Sequence, residues 1–268
     1  MTLSNDWVRL AAERLHQAEK SRTQIRQLSQ DHPGITIEDA YAIQKAWVEI
    51  KVAEGRAIRG HKIGLTSKAM QSALNIDEPD SGILFDDMFF ADGGVVPSDR
   101  FIGTRVEAEL AFVMKHRLAG PNCTMFGVLN ATDFVVPALE ILDTRIERVD
   151  PQTKSTRKIF DTIADNAANA GIVLGGRPIR PMETDLRWIG ALCHRNGQLE
   201  ETGLAAAVLG HPATSVAWLA NKIAPHGLAL EPGHVVLAGS FIRPIEVRSG
   251  DTIHADYGPY GTVSCYFA

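Results

Sequence analysis

The stretch Val106-Glu107-Ala108-Glu109-Leu110-Ala111-Phe112-Val113 reads as a strand buried on both faces. Side chains at i and i+2 of a strand share a face, so Glu107 and Glu109 point the same way, followed by Ala111 and Val113. Val106, Ala108, Leu110 and Phe112 form the opposite face. Two like charges in such a setting are expensive. Desolvating a carboxylate costs several kcal/mol, and its neighbour adds repulsion unless a cation or a proton intervenes. A third acid, Glu140, lies in a similar apolar stretch, Val135-Val136-Pro137-Ala138-Leu139-Glu140-Ile141-Leu142. Three carboxylates with no His or Cys among them favour a hard cation, Mg²⁺ or Mn²⁺, over zinc. The competing arrangement, with Glu107 and Glu109 facing water at a sheet edge and Glu140 paired to an arginine, stays open on spacing alone.

The chain of 268 residues is 45% hydrophobic and 22% charged, enough to bury a sizeable core. It contains no Ser/Gly/Pro-rich linker and no internal repeat, which predicts one domain spanning 1–268, with a helical region over about 1–56 and a β-rich core over about 57–268. A net charge of −5 and a pI near 6.0 argue against nucleic acid or an anionic membrane as partner and favour a small molecule. Cys123, Cys193 and Cys265 are far apart and form no CxxC pair, so neither a disulfide framework nor a zinc knuckle is expected. Charges at Arg9, Glu13, Arg14, Glu19 and Lys20 interrupt any apolar run near the start, and no stretch approaches a membrane span. The expected location is the cytoplasm.

Trp7, Leu10, Ala11, Leu15 and Ala18 recur at helical steps, and a second helix is expected to start at Thr36-Ile37-Glu38-Asp39 and stop at Gly55, presenting Ala40, Tyr41, Gln44, Trp47, Val48 and Lys51. Its Trp and Tyr read as core or subunit-contact residues. Strands are expected at His61–Leu65, Ile83–Leu84, Met88–Phe90, the two glutamate stretches, Gly171–Leu174, Val235–Ala238 and Ile253–Tyr257, with Gly258–Gly261 turning the chain into Thr262–Phe267. One later helix has Pro212 in its first turn and is stopped by Pro225. Helices first, then irregularly spaced strands, is not a βαβ rhythm, and the fold class predicted is α+β.

An oxygen-ligated ion with open positions can chelate the keto oxygen and carboxylate of a 2-oxo acid together and stabilise enolate charge. An anionic substrate beside three glutamates then needs further positive groups, and Lys62, in Gly60-His61-Lys62-Ile63-Gly64-Leu65-Thr66, is the candidate. Asp80, in Glu78-Pro79-Asp80-Ser81-Gly82, could serve as a general acid or base on a loop, although Asp beside Pro and Gly is ordinarily turn chemistry. Phe160–Gly171 is denser in polar groups than a plain helix needs, and Gly239-Ser240 follows a buried strand where ligand-lining loops often lie. The histidines show no metal spacing, and no GxGxxG, P-loop or GxSxG motif occurs.

The segments Gly60–Met70, Glu107-Ala108-Glu109, Ala131-Thr132-Asp133, Pro137–Glu140, Phe160–Ile163, Asp165–Gly171 and Val216–Lys222 closely resemble the hydratase and decarboxylase family of aromatic meta-cleavage pathways, over almost the whole chain. The resemblance implies the fold of the fumarylacetoacetate hydrolase C-terminal domain, a mixed β roll, preceded here by the N-terminal helical region, and a homo-oligomer. It implies Glu107, Glu109 and Glu140 as ligands of Mg²⁺ (Mn²⁺ as the alternative), Lys62 and Asp80 in substrate binding and proton transfer, and a small 2-oxo-enedioate as substrate. Hydration is the activity implied, with decarboxylation of a 4-oxalocrotonate-type acid as the rival and a non-catalytic, metal-stabilised oligomeric binding protein as a third reading. A C–C hydrolase of the fumarylacetoacetate type fits less well, because such members use a His/Glu dyad and no His occurs between Lys62 and Glu107. Arg105, Arg243 and Lys68 are candidates for a distal carboxylate, with surface placement as the competing reading for each.

Overall fold

Three helices open the chain in a computed structural model that describes residues 3–68, 71–72 and 76–268: α1 (Asn5–Ser21), α2 (Leu28–Asp31) and α3 (Ile37–Ala53). Ala69 and Met70, which end the Gly60–Met70 motif, lie outside the described residues. Thirteen strands follow: β1 (Ile58–Gly64), β2 (Asp80–Phe85), β3 (Phe89–Phe90), β4 (Gly94–Val96), β5 (Arg105–Met114), β6 (Thr132–Leu142), β7 (Asn169–Leu174), β8 (Gly190–Arg195), β9 (Gln198–Leu204), β10 (Val235–Leu237), β11 (Ile245–Glu246), β12 (Thr252–Asp256) and β13 (Thr262–Phe267). Between them lie α4 (Met125–Ala131), α5 (Ile159–Ala164) and α6 (Pro212–Ile223).

The first sheet runs β2-β1-β10-β5-β6-β7-β3, with β11 continuing alongside β5; the second runs β4-β13-β12-β8-β9. Both are mixed, since β1 pairs with β10, β3 with β7 and β13 with β4 in parallel while the other pairs are antiparallel. The fold is α+β, as the order of elements predicts. The two periodicities read from β5 and β6 sort onto opposite faces. Val106, Ala108, Leu110, Phe112, Leu139 and Ile141 join a core shared with the second sheet and α6. Ala111, Val136 and Ala138 join a separate core with Leu15, Ile43 and Trp47 of the N-terminal helices. The glutamates point toward that helical layer.

Thr36 caps α3 as expected: its Oγ1 accepts the Asp39 N–H at 3.2 Å while Asp39 Oδ2 accepts the Thr36 N–H at 3.1 Å. Gln44, on the buried face of α3, donates to the Ser81 and Ile163 carbonyls and so ties the helical layer to the sheet. In α1 the buried stripe is Val8, Ala11, Ala12, Leu15 and Ala18, whereas Leu10 is 51% exposed. The buried stripe is rotated from the one expected, with Val8 and Ala12 in place of Leu10. Met88 ends a short turn and does not start a strand.

The first sheet curls until β2 faces the start of β7, and one side chain closes the seam. Asn166 accepts the Ile83 N–H at 2.7 Å and donates to the Ile83 carbonyl at 3.0 Å, so its amide stands in for a strand pair. It opens a run of three non-glycine residues in the left-handed region, Asn166, Ala167 and Ala168, with φ of 51°, 51° and 60°. Such conformations cost about 1–3 kcal/mol each and persist only where surroundings impose them. Here Arg145, 3% exposed, pairs with Asp165 and donates to the Asn169 carbonyl, pinning both ends of the run. Asn166→Ala would leave both Ile83 backbone groups unpaired and remove the residue type best suited to the first left-handed position, so it should lower unfolding free energy by about 2–4 kcal/mol. Urea denaturation checks this, and a change below about 0.5 kcal/mol would contradict the seam.

Candidate metal centre

Glu107 and Glu140 are direct partners in the β5–β6 register, and Glu109 faces Ala138, whose small side chain leaves room beside it. Directly opposite Cβ atoms lie about 5 Å apart, so two like charges there repel strongly. Glu109 and Glu140 have no solvent exposure and Glu107 is partly covered. One carboxylate oxygen from each of the three lies within 4.8 Å of the others. The sheet-edge alternative is thereby excluded.

The second oxygens are where the chain supplies its own donors. Glu109 Oε2 accepts the Gly239 N–H at 2.8 Å, and Glu140 Oε1 accepts Asn169 Nδ2–H at 2.7 Å and lies 3.6 Å from Lys62 Nζ. Glu109 Oε1 and Glu140 Oε2 are buried and have no hydrogen-bond partner among the described residues. Each of these acids is thus held by one oxygen and left unsatisfied at the other, which is the arrangement a shared oxygen-loving cation requires. Without a cation the electrostatics is unfavourable. Burial, with the charge of Glu140 added, pushes the Glu107 carboxyl up to about 8, and burial with the charges of Glu140 and Glu107 raises that of Glu109.

Lys62 and Asp80 come to the same place from β1 and β2. Both are buried, 4% and 1% exposed. Burial alone would lower the pKa of Lys62, but the fields of Glu140, Asp80, Glu107 and Glu109 outweigh it and hold the ammonium charged. Asp80 is raised by burial and by Glu140, against the opposing pull of Lys62, and its Oδ1 has no partner. Asp80 is not on a loop: it is the first residue of β2, in register with Gly64 of β1. A Cβ on Gly64 would collide with Asp80 Oδ1 and Lys62 Nζ, so glycine is what lets both groups reach past the strand. Gly239, at φ +117°, presents its N–H to Glu109 in a conformation that other residues adopt at a cost.

Three contributors escaped the sequence reading as individuals. Asn169 lay within the polar-dense segment, Gly239 within the suspected ligand-lining loop, and Tyr41 was assigned to packing. The Tyr41 hydroxyl is buried, and its pKa is raised by burial and by the charge of Asp80. Of the candidates for a distal carboxylate, Arg105 pairs with Glu246, Arg243 with Glu201 at 2.7 Å while 84% exposed, and Lys68 donates to Gln71 at 3.1 Å from an exposed position.

No family model matches the chain. Among curated proteins it is 63% identical over 258 residues, 96% of this chain and 97% of the relative, to 2-oxo-hept-4-ene-1,7-dioate hydratase of Escherichia coli. Among solved structures it is similar to 4-oxalocrotonate decarboxylase from Pseudomonas putida G7 complexed with magnesium and adipate, at 36% identity and a TM-score of 0.93, covering 100% of this chain and 99% of the other. Fumarylpyruvate hydrolase from Pseudomonas aeruginosa, in complex with Mn²⁺ and pyruvate, shares the fold at 13% identity and a TM-score of 0.58, covering 78% and 89% of the two chains.

A folded-state pKa raised above the unfolded value gives stability that is present below the unfolded pKa and lost as pH rises through the folded one. For Glu107 that window runs from its ordinary 4.5 to about 8, and Glu109 acts in the same direction. Ion-free protein should therefore lose stability from pH 5 to pH 8. A divalent cation replaces the protons, so Mg²⁺ should raise Tm more at pH 8 than at pH 6, and at a hundredfold excess over Kd it stabilises by about 3 kcal/mol. Thermal melts at the two pH values with and without MgCl₂ test this, and equal shifts at both would count against a site built on those acids.

Proposed function

The chain belongs to the hydratase and decarboxylase family of aromatic meta-cleavage pathways, and within it we propose that it is a Mg²⁺-dependent carbon–oxygen lyase that hydrates 2-oxo-hept-4-ene-1,7-dioate to 4-hydroxy-2-oxoheptane-1,7-dioate in 4-hydroxyphenylacetate catabolism. The observation that carries this reading is the buried, convergent trio Glu107, Glu109 and Glu140, with unpartnered oxygens on Glu109 and Glu140, in a chain nearly two-thirds identical to a hydratase along its length.

In this reading Glu107, Glu109 and Glu140 hold the ion, with Mn²⁺ as an alternative occupant. When bound, it supplies a Lewis acid toward the C1 carboxylate and C2 oxygen of the substrate. Lys62 remains protonated and offsets negative charge that develops on the C2 oxygen. Asp80, with a raised pKa and a free Oδ1, exchanges protons with carbon. It takes one from C3 and returns one at C5, which moves the double bond from C4–C5 into conjugation at C3–C4. Water oxygen then bonds to C4 and a proton is returned to C3, so one water is added overall. Asn169 and Gly239 keep Glu140 and Glu109 from turning away.

The whole chain, 1–268, is read as one functional unit. Gln44 and the core shared by Trp47, Ile43 and the inner sheet face support that reading, because they make the helical layer the wall opposite the glutamates. A cytoplasmic homo-oligomer is proposed on two grounds: the cysteines are unpaired, and Trp188, Leu192 and Leu204 expose apolar surface around β8 and β9. No helix among the described residues is long and apolar enough to cross a membrane.

Glu140→Gln should reduce Mg²⁺-dependent hydration more than about a hundredfold while leaving the fold intact, because the neutral amide neither repels Glu107 nor binds the ion well. Assaying the wild type with the seven-carbon 2-oxo-dioate and with 2-oxo-hex-3-ene-dioate, following hydrated product and CO₂ release, decides the activity. CO₂ from the six-carbon acid without hydration of the longer one would make the chain a decarboxylase. Consumption of neither, with Mg²⁺ still raising Tm, would leave a metal-stabilised binding protein.

A further inference from the structure

Arg157 stands between Thr156 and the start of α5 and is half-buried. Its Nη1 donates to Thr144 Oγ1 at 2.7 Å, two residues beyond the end of the strand that carries Glu140. Among the described residues no carboxylate oxygen lies within 4.0 Å of its guanidinium. Three acids exert a field on it: Asp165, Asp161 and Asp80. Asp165 is committed to Arg145 through its side chain and backbone N–H. Asp161 is saturated by the Ser29 N–H, the Ser29 hydroxyl and the Lys158 N–H. Asp80 belongs to the reacting site. Arg157 therefore holds a charge against burial with no anion of its own, although a guanidinium cannot shed its proton to escape the cost.

Arg157 also has company. Arg148, linked to it by the Arg157 N–H donating to the Arg148 carbonyl at 2.9 Å, directs Nη2 at the Gly103 carbonyl at 3.1 Å and likewise has no carboxylate within 4.0 Å. Burial, with Arg105 and Arg157 adding repulsion, pushes it down to about 10. Arg105 stands two residues before Glu107 on the same face of β5 and is neutralised by Glu246. Around Arg157 the chain thus holds more positive charge than the acids beside it balance.

A dioate substrate brings the missing anion. With one end at the glutamate centre, its other carboxylate must lie several carbons away and cannot remain buried without a cation. We propose that Arg157 recognises the distal carboxylate of the substrate through charge-assisted, forked hydrogen bonds, and that it is the residue by which this chain selects a 2-oxo-dioate over a 2-oxo-monoacid of the same head group. This rests on the hydratase reading for the identity of the substrate and adds how its far end is read. The geometry suits Arg over Lys, since Nη1 is anchored on Thr144 and the remaining donors of the planar fork stay available to a ligand.

The test uses full-length, Mg²⁺-loaded protein and two unreactive acids, 2-oxoheptanedioate and 2-oxopentanoate, with binding followed by calorimetry. Arg157→Met should raise Kd for the dioate on the order of ten- to a hundredfold and leave the monoacid within about twofold. Arg157→Lys, which keeps charge but not the fork, should fall between and guards against a variant that fails to fold. In turnover the loss should appear as a raised KM for 2-oxo-hept-4-ene-1,7-dioate, with kinetics on 2-oxopent-4-enoate unchanged. Equal weakening of both acids would reduce Arg157 to a structural role, and no change in either would overturn the proposal. Should the wild type hydrate neither 2-oxo-hept-4-ene-1,7-dioate nor 2-oxopent-4-enoate yet bind the two saturated acids with this discrimination, the hydratase reading falls and the role of Arg157 stands.

Discussion

Repulsion between carboxylates on neighbouring strands is the constraint that organises this protein. Glu107 and Glu140 sit in direct register, Glu109 is two residues along the same face, and Asp80 approaches from β2. Against these four acids β1 brings one ammonium, that of Lys62, 3.6 Å from Glu140. The balance is met by directed dipoles and by room for an ion. Gly239 and Asn169 each satisfy one carboxylate oxygen, and their N–H groups are aimed so that the remaining oxygens converge. A hydrophobic replacement at any of these positions would suit the surrounding apolar faces better, which marks the acids as a cost the fold carries for chemistry.

The layers around the centre divide the work. The core beneath β5 and β6 is apolar throughout and gives the two strands a rigid bed against the second sheet. The inner face is polar in its middle and apolar at its margins, where Ala111, Val136 and Ala138 meet Leu15, Ile43 and Trp47. Strain is concentrated at the left-handed run from Asn166 to Ala168, just where the curled sheet must close and Asn169 must turn toward Glu140. Arg145 and Asp165, both buried, lock that turn from behind. Backbone distortion, seam and the orientation of Glu140 are therefore one device.

Much of this was legible beforehand because period-two alternation is a strong signal when both faces are apolar. The glutamate stretches, the capped helix from Ile37, the proline-started helix from Pro212 and the closing hairpin from β12 to β13 all follow from local patterns. The hairpin of β8 and β9 did not, since Gln198–Leu204 is largely exposed and carries little apolar alternation. Its signal was the Asn196-Gly197 pair, both at positive φ, between the two strands. Asp80 misled for a related reason: its neighbours Pro79, Ser81 and Gly82 are turn formers, yet the segment pairs with β1, and Gly82 is where Asn166 packs against the strand. Asn169 and Arg157 depend on long-range convergence, which no window of sequence contains. The resemblance to a known family supplied roles for five side chains and none for these two.

Tyr257, just before the final hairpin turn, extends its hydroxyl from the second sheet to the carbonyls of Glu109 and Ala138, at 2.9 and 2.7 Å. Those two residues face one another across β5 and β6, so the phenol bridges the two strands that carry the three glutamates. The second sheet is therefore a gauge as well as a support: it ties the two glutamate-bearing strands together from below. Selection between a small and a large divalent ion, commonly attributed to the atoms that touch it, would here be set in part by a residue that never does.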